Sequence, residues 1–428
     1  MAANLDGGVP QTVIARPLAR LNAAKMAELA EQGRRLTTAI RDQATHPDHR
    51  KKLRTFQGFE VVKWLGGITV ETLYRRLKRD PSLPQGVMTN ARRRDFTLED
   101  IHRLQEAFGI RPRRRPGQPG LVVSICNFKG GVAKTTTTAH LGQYLCLMGY
   151  RVLMIDLDAQ ASLTQLFGIL PHAEVDDAET IRPIMEGPSF AGEPNPDYDA
   201  DLRRKVRKTH WDDLDLIVSN LGVYGSEFAI AARIANTAEN PGFLYYRQLA
   251  DHLESLRQDY DVILLDTAPS LSFLNSNAMF AADALLVTLP PAMLDTSSAA
   301  LFFQLMGEVV EQIDTTEGTP KEYDFGAILL TRFKPNDATH QQISNYVRTY
   351  FPDYTCTNAM LQTTALEKVG PDLLTLYEVA EYEGDRRTFE RGVDAMNDAN
   401  AEIESLIRRA LEARAQAATA TAAEALPA

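Results

Sequence analysis

The feature that most constrains this chain is the run Asn127-Phe128-Lys129-Gly130-Gly131-Val132-Ala133-Lys134-Thr135-Thr136, set directly after an apolar stretch at 121–125 and directly before a helical pattern at 137–148. A glycine pair lets the backbone turn sharply. Amide N–H groups from the turn and from the new helix then converge on one point, where the helix dipole and a lysine ammonium also favour an anion. Lys129, Gly130, Gly131, Val132, Ala133, Lys134, Thr135 and Thr136 are therefore the candidate phosphate-binding loop, with Lys134 reaching terminal phosphates and the Thr135 hydroxyl holding Mg²⁺. The run departs from the GxxxxGK[ST] pattern at both glycines, where Phe128 and Ala133 stand, and it carries a second lysine, Lys129, just ahead of the glycine pair. A turn that bound nothing would have no need of two lysines and two threonines.

Two later strands end in acids. Residues 151–160 form a short apolar run closed by Asp156 and Asp158, and residues 260–269 form another closed by Asp266 and followed by Thr267-Ala268-Pro269. A buried parallel strand delivers such groups to the carboxyl edge of its sheet, and strand alternation sends Asp156 and Asp158 in different directions. One strand-terminal Asp alone reads as a helix N-cap; three acids on two strands after a phosphate loop read as a catalytic set. The rhythm continues with strands at 284–290 and 325–332 and a crossover helix at 297–312. Residues 176–198, acidic and proline-containing, read as an insertion loop. The fold class that follows is α/β, a mostly parallel sheet of the P-loop NTPase kind.

The net charge of −10 hides a division. Residues 1–120 hold 23 Lys and Arg against 12 Asp and Glu, whereas residues 121–428 hold 23 against 44. The front is suited to a polyanion and the remainder as a whole is not. Three cysteines, Cys126, Cys146 and Cys356, make no metal-ligand spacing and read as free thiols of a reducing compartment. No apolar run approaches the roughly 20 residues of a membrane span, and no signal-peptide pattern opens the chain, so a cytoplasmic protein without membrane partners is expected.

Within the basic front, residues 59–65 have helical spacing, Gly66-Gly67-Ile68 makes a tight turn, and Thr69 caps a second helix through Arg79 with Val70, Leu73 and Leu77 on one side. This is a helix-turn-helix pattern whose second helix displays Thr72, Tyr74, Arg75, Arg76, Lys78 and Arg79. Residues 88–96, with Arg92, Arg93 and Arg94, read as a short wing, and another helix runs from 97 to 108. Thr69, Thr72, Arg75, Arg76, Lys78, Arg79, Arg92, Arg93 and Arg94 are the candidate DNA contacts. The expected organisation is an N-terminal helical and dimerisation region (1–56), with Leu18, Leu21, Leu29, Leu36 and Ile40 on one stripe; an α-helical winged helix-turn-helix domain (57–110); a Pro- and Gly-containing linker (111–120); the ATPase domain (121–409); and an Ala-rich tail (410–428). The tail lacks a membrane-docking face.

The KGGxxKTT form resembles the deviant Walker-A loop of the ParA/MinD family of ATPases, and the segment ending in Asp158-Ala159-Gln160 resembles that family's DxDPQ element with Ala159 in place of Pro. The resemblance covers residues 57–409. It implies ATP and Mg²⁺ as cofactors and a homodimer in which Lys129 crosses to the partner's nucleotide. By resemblance Lys129, Lys134, Asp158 and Asp266 are catalytic, Asp158 orienting water; Thr135, Asp156 and Asp266 serve the metal; and residues 267–270 sense the γ-phosphate. Thr331 stands where the family often has an Asn that contacts the base. The front resembles the MerR-like module of larger plasmid-partition proteins, in which an N-terminal helix helps pair the chains, and the loop context resembles the RepA proteins of RepA–RepB–RepC replicons. What this implies is a weak, nucleoid-associated DNA-segregation ATPase that binds nonspecific DNA, responds to a ParB/RepB-like partner and represses its own operon. A nucleotide-liganded repressor and a protein-cargo positioning ATPase are the alternatives. Arg332, Lys334, Arg348, Arg386, Arg387 and Arg391 are the candidates for a nonspecific DNA surface.

Overall fold

The computed structural model describes residues 21–44, 51–90, 93–112, 114–115, 117–190, 193–236, 242–370, 373–382 and 384–424. Residues 1–49 and 50–428 form two units. In the first, α1 (Ala23–Ala44) is a 22-residue helix. Of its expected stripe, Leu21, Leu29 and Leu36 are exposed; Leu18 and the Ile40 side chain lie outside the described residues.

The second unit opens with β1 (Phe56–Gln57), α2 (Gly58–Trp64), α3 (Val70–Arg79), β2 (Val87–Asn90), β3 (Arg93–Phe96) and α4 (Leu98–Ala107). Thr69 ends the turn after α2 and caps α3 by accepting the Thr72 amide at 3.1 Å, while Leu73 and Leu77 point inward at helical spacing. The strands form an antiparallel sheet in the order β1-β3-β2. Phe56, Val61, Trp64, Leu73, Phe96 and Ile101 fill the space between these elements.

The remaining elements are β4 (Leu121–Cys126), α5 (Lys134–Leu147), β5 (Val152–Asp156), α6 (Ser162–Leu166), α7 (Pro171–Glu174), α8 (Arg182–Glu186), the hairpin β6 (Ser189–Phe190) and β7 (Glu193–Pro194), β8 (Val206–Lys208), β9 (Leu214–Ile217), α9 (Gly225–Ala235), α10 (Gln248–Asp259), β10 (Val262–Asp266), α11 (Phe273–Ala281), β11 (Ala284–Leu289), α12 (Met293–Glu317), β12 (Phe325–Leu330), α13 (Ala338–Tyr350), α14 (Thr364–Val369) and α15 (Arg386–Glu424). A seven-stranded sheet runs β12-β11-β4-β10-β5-β9-β8, parallel except for β8. β4, β5, β9, β10 and β11 are buried along their whole length because both faces are covered, whereas the edge strand β8 carries Arg207 and Lys208. Val123, Met154 and Leu264 pack with residues of α5 and α15, whereas Val122, Leu153 and Ile263 pack with residues of α10, α11 and α12. The 176–198 stretch, expected as an insertion loop, contains α8 and the β6–β7 hairpin.

The front module shares its core with the larger sheet. Trp64 meets Tyr144 of α5 edge-on at 5.5 Å. From α4, His102 Nε2 donates to the Cys146 carbonyl at 2.8 Å and Gln105 Nε2 to that of Leu147 at 2.9 Å. Within the stretch read as a linker, Arg114 and Gln118 bond to this body: Arg114 Nε donates to Asp261 at 2.7 Å and Gln118 Nε2 to the Leu411 carbonyl at 2.7 Å. The alanine-rich tail carries α15 on to Glu424. Alanine is the strongest helix former, so the stretch needs no amphipathic pattern to stay helical, and Ala410, Leu411 and Ala415 are buried.

One buried carboxylate ties the entry of the front module to the rest. Glu378 accepts from Lys51 Nζ at 2.9 Å, His210 Nε2 at 2.5 Å, Trp211 Nε1 at 3.2 Å, Gln143 Nε2 at 3.4 Å and the Thr375 amide at 3.0 Å. Burial alone would raise its pKa; the bonds from His210 and Lys51 and their charges outweigh burial and hold it at about 2, against an ordinary 4.5. The folded value lies below the unfolded one, so the stabilisation is complete above pH 4.5 and is lost as pH falls through about 2. Glu378→Gln is expected to lower stability at neutral pH by roughly 3 kcal/mol and to flatten that acid limb, as read by urea unfolding across a pH series.

Candidate nucleotide site

β4, β10 and β5 are neighbours, with Asp266 in register with Ile125 on one side and Asp156 on the other. The loop after β4 and the acids closing the other two strands therefore meet at one edge of the sheet. Gly131 (φ +75°) and Ala133 (φ +66°) both take the left-handed conformation. Ala133 thus keeps the backbone geometry a glycine would adopt freely, at a cost of about 1 kcal/mol. α5 begins at Lys134, so the loop amides and the first helical turn face one region.

The buried Lys134 ammonium donates to the Lys129 carbonyl at 3.1 Å. Burial pulls its pKa down, opposed by the charges of Asp266 and Asp158. The Thr135 hydroxyl donates to Asp266 Oδ2 at 2.8 Å, and Thr138, one turn along α5, donates to Oδ1 at 3.1 Å. Asp156 accepts the amide and hydroxyl of Thr164 at 2.9 and 2.7 Å and the Asp158 amide at 3.2 Å. Burial raises the pKa of both Asp156 and Asp266. The charge of Asp266 raises Asp156 further, while the hydroxyl bonds from Thr135 and Thr138 and the Lys134 charge draw Asp266 part of the way back.

A hard cation beside this pair would relieve the electrostatic cost of holding two buried carboxylates together. Among the described residues no cluster of three His, Cys, Asp or Glu side chains forms a metal cage. One hydroxyl and two carboxylates make an incomplete oxygen set, which suits an ion such as Mg²⁺ that keeps waters and takes other ligands from phosphates. Asp158 stands outside the pair, half-buried, its Oδ1 accepting the Gln160 amide at 2.9 Å and its carbonyl accepting Ser219 Oγ at 2.8 Å.

Several partners escaped the sequence reading. Lys129 is held within its own chain, its amide donating to Asn127 Oδ1 at 2.9 Å and its ammonium paired with Asp295 of α12. Thr331 is fully buried and donates its hydroxyl to the Val132 carbonyl at 3.0 Å, and Arg332 donates to the Gly131 carbonyl at 2.9 Å. Both brace the loop from β12. Thr138 was legible in principle, three residues beyond Thr135 on one helix face; Thr164, Ser219 and Asp295 carry no such local signal.

At the front, Arg75, Lys78 and Arg79 are exposed along α3, with Thr72 half-buried beside them. Arg76, also exposed, lies over the Phe108 ring at 4.5 Å, Arg93 pairs with Asp95 at 2.9 Å, and Arg94 lies over the Tyr74 ring at 5.7 Å. Tyr74, expected on the displayed face, turns its hydroxyl toward Gly58, where an added Cβ would collide with it. Arg92 lies outside the described residues. Of the late basic residues, Arg348 donates to the Cys356 and Thr357 carbonyls at 2.7 and 2.8 Å, and Arg386 pairs with Glu390 at 2.8 Å.

An AAA domain family matches residues 120–316. The protein provisionally named replication protein A in Rhizobium rhizogenes is 36% identical over 372 residues, 85% of this chain and 89% of that one. This chain belongs to the ParA/MinD family. Other relatives of this ParA/MinD-family chain include the protein SopA of Escherichia coli K12, 27% identical over 289 residues (67% of this chain, 70% of that one), and the chromosome partitioning protein ParA of Caulobacter vibrioides, 31% identical over 240 residues (55% and 78%). A solved structure titled partition protein covers 90% of this chain and 99% of its own at a TM-score of 0.61; at 18% identity it establishes the shared fold. The fold is that of a P-loop NTPase, and the relatives include a chromosome partitioning protein. Among the described residues no helix is long and apolar enough to cross a membrane.

Proposed function

We propose that this chain is a DNA-segregation ATPase, cytoplasmic and nucleoid-associated, that dimerises on ATP, binds nonspecific DNA, is stimulated by a ParB/RepB-like partner and represses its own operon. The observation that carries the reading is the convergence of Lys134, Thr135, Asp156 and Asp266, from α5 and two neighbouring strands, at the carboxyl edge of the sheet. Bound Mg²⁺-ATP supplies the transferable phosphoryl group and the charge that the metal offsets. The loop amides and the Lys134 ammonium orient the phosphates. Thr135, Asp156 and Asp266 hold the metal and its waters, and the half-buried Asp158 carboxylate positions the attacking water. Lys129 leaves Asp295 and reaches the partner's nucleotide.

The front module reads DNA through Thr72, Arg75, Lys78 and Arg79 of α3, capped by Thr69, with Arg93 and Arg94 on β3 and Arg92 just before them in the sequence. Arg76 serves partly to hold α3 against Phe108. Arg75, Lys78 and Arg79 changed together to Ala are expected to erase the operator footprint while ATP-dependent binding to random duplex persists, read by footprinting and by filter binding across a salt series. Loss of both activities together would mean a single DNA surface. The ATPase reading itself is tested by phosphate release with and without the partner: a nucleotide-liganded repressor shows no partner-stimulated turnover, and a cargo-positioning ATPase leaves no operator footprint.

A further inference from the structure

At the amino edge of the parallel sheet, opposite the edge that carries the phosphate loop, Arg111, Pro112, Arg114, Arg115, Gly117 and Gln118 border a cavity of about 410 Å³. Its other walls are the Gly149 turn after α5, the entries to β5, β9 and β10, and the end of α10. Among the described residues four arginines line it, Arg111, Arg114, Arg115 and Arg151, against two aspartates, Asp213 and Asp261. Both carboxylates are already committed. Asp213 pairs with Arg111 and, at 3.2 Å, with His102 Nδ1, while Asp261 takes Arg114 Nε at 2.7 Å and the Arg151 amide at 2.8 Å.

These bonds fix Arg111 and Arg114 in place. The other two guanidiniums are freer. Arg151 reaches Asp261 only at 3.4 Å, with its side chain 48% exposed. Arg115 donates to the Ala415 carbonyl at 2.9 Å and the Thr419 hydroxyl at 2.7 Å, neither of which neutralises its charge. A second cavity, of about 300 Å³, shares Arg114, Arg115, Gln118 and Asp261 and adds Arg408 with its partner Glu412. The chain has thus gathered an excess of positive charge at one recess, although residues 121–428 hold 23 Lys and Arg against 44 Asp and Glu.

The geometry points to a binding site for a small phosphorylated anion, a diphosphate group or a nucleotide, held by Arg111, Arg114, Arg115 and Arg151. Guanidinium forks engage phosphate oxygens two at a time; those of Arg115 and Arg151 offer the donors, while Arg111 and Arg114, already bonded through Nε and both Nη groups, supply charge from the wall. Arg111 also pairs with Glu106 at 2.8 Å, so the charge left for an anion to offset rests on Arg115 and Arg151. The volume is that of a small-ligand pocket, whereas a duplex backbone asks for an open face. Because residues 111–118 join the front module to the phosphate-loop domain, an occupant fastens that joint and makes DNA binding respond to the concentration of a phosphorylated metabolite.

The test is isothermal titration of the full chain with sodium pyrophosphate, in a Lys134→Ala background that removes the main ammonium of the phosphate loop. That chain is expected to bind pyrophosphate, and adding Arg115→Glu with Arg151→Glu is expected to weaken binding by about 10-fold or more. Absence of binding in the Lys134→Ala chain, or binding unchanged by the charge reversals, overturns the site. A random duplex that displaces pyrophosphate from the Lys134→Ala chain, and whose own binding falls with the charge reversals, assigns the recess to the DNA backbone and overturns the small-ligand reading. Should circular dichroism show the reversal variant unfolded, Arg151→Gln, altering one half-exposed side chain, carries the same comparison.

Discussion

Lys134→Ala is expected to abolish ATP binding, whereas Lys129→Ala leaves binding by the single chain largely intact and removes nucleotide-dependent dimerisation together with stimulated hydrolysis. The two lysines stand five residues apart on one loop but face different tasks. Lys134 is buried, its ammonium capping the carbonyl at the centre of the loop, and its loss removes a charge-assisted contact from a desolvated anion site, roughly 100-fold or more in affinity. Lys129 is partly exposed and pairs with Asp295 in the same chain, a contact that must open before the lysine can serve a second chain. Fluorescent-nucleotide titration reads the first effect and light scattering with ATP the second. A Lys129→Ala protein that still dimerised with ATP and hydrolysed it at the normal rate would remove the sandwich from the mechanism.

Asp158→Ala is expected to lower turnover by about 100- to 1,000-fold while leaving ATP affinity within a few-fold of the starting protein. A carboxylate that orients water strengthens its interaction mainly in the transition state, so its removal shows in kcat rather than in binding. The position supports this separation: Asp158 stands half-buried at the rim, bonded to the Gln160 amide, and takes no bond from Thr135 or Lys134. The ATP-bound dimer is then trapped on DNA, visible as slow dissociation in a single-turnover wash. Normal hydrolysis by the variant, or failure to bind ATP, excludes Asp158 from the role.

The contrast between Asp158 and its neighbour Asp156 was only half visible in the sequence. Alternation along a strand separates the two acids, but it cannot say that Asp156 accepts both polar hydrogens of Thr164 and so also caps the turn of α6. The same limit appears at Thr331. The family resemblance implied a contact with a base there, and the sequence carried no sign that its hydroxyl donates to the Val132 carbonyl.

What the amino-acid order alone determined is the local geometry: strand, glycine turn and helix in succession at 121–147, acids at the ends of two further apolar runs, Thr69 before α3, and a basic front ahead of an acidic body. Each of these follows from periodicity and capping, which act over a few residues and so leave a mark in any short window. Tertiary structure decided the rest. The strand order sets β10 between β4 and β5, which brings Asp266 to Thr135 across 131 residues. Arg114 and Gln118 are docked because Asp261 and the carbonyls of α10 and α15 accept their side chains, and Lys129 is paired because α12 presents Asp295 beside it. Such partners are chosen by the path of the chain through space, and no nearest-neighbour pattern encodes that path.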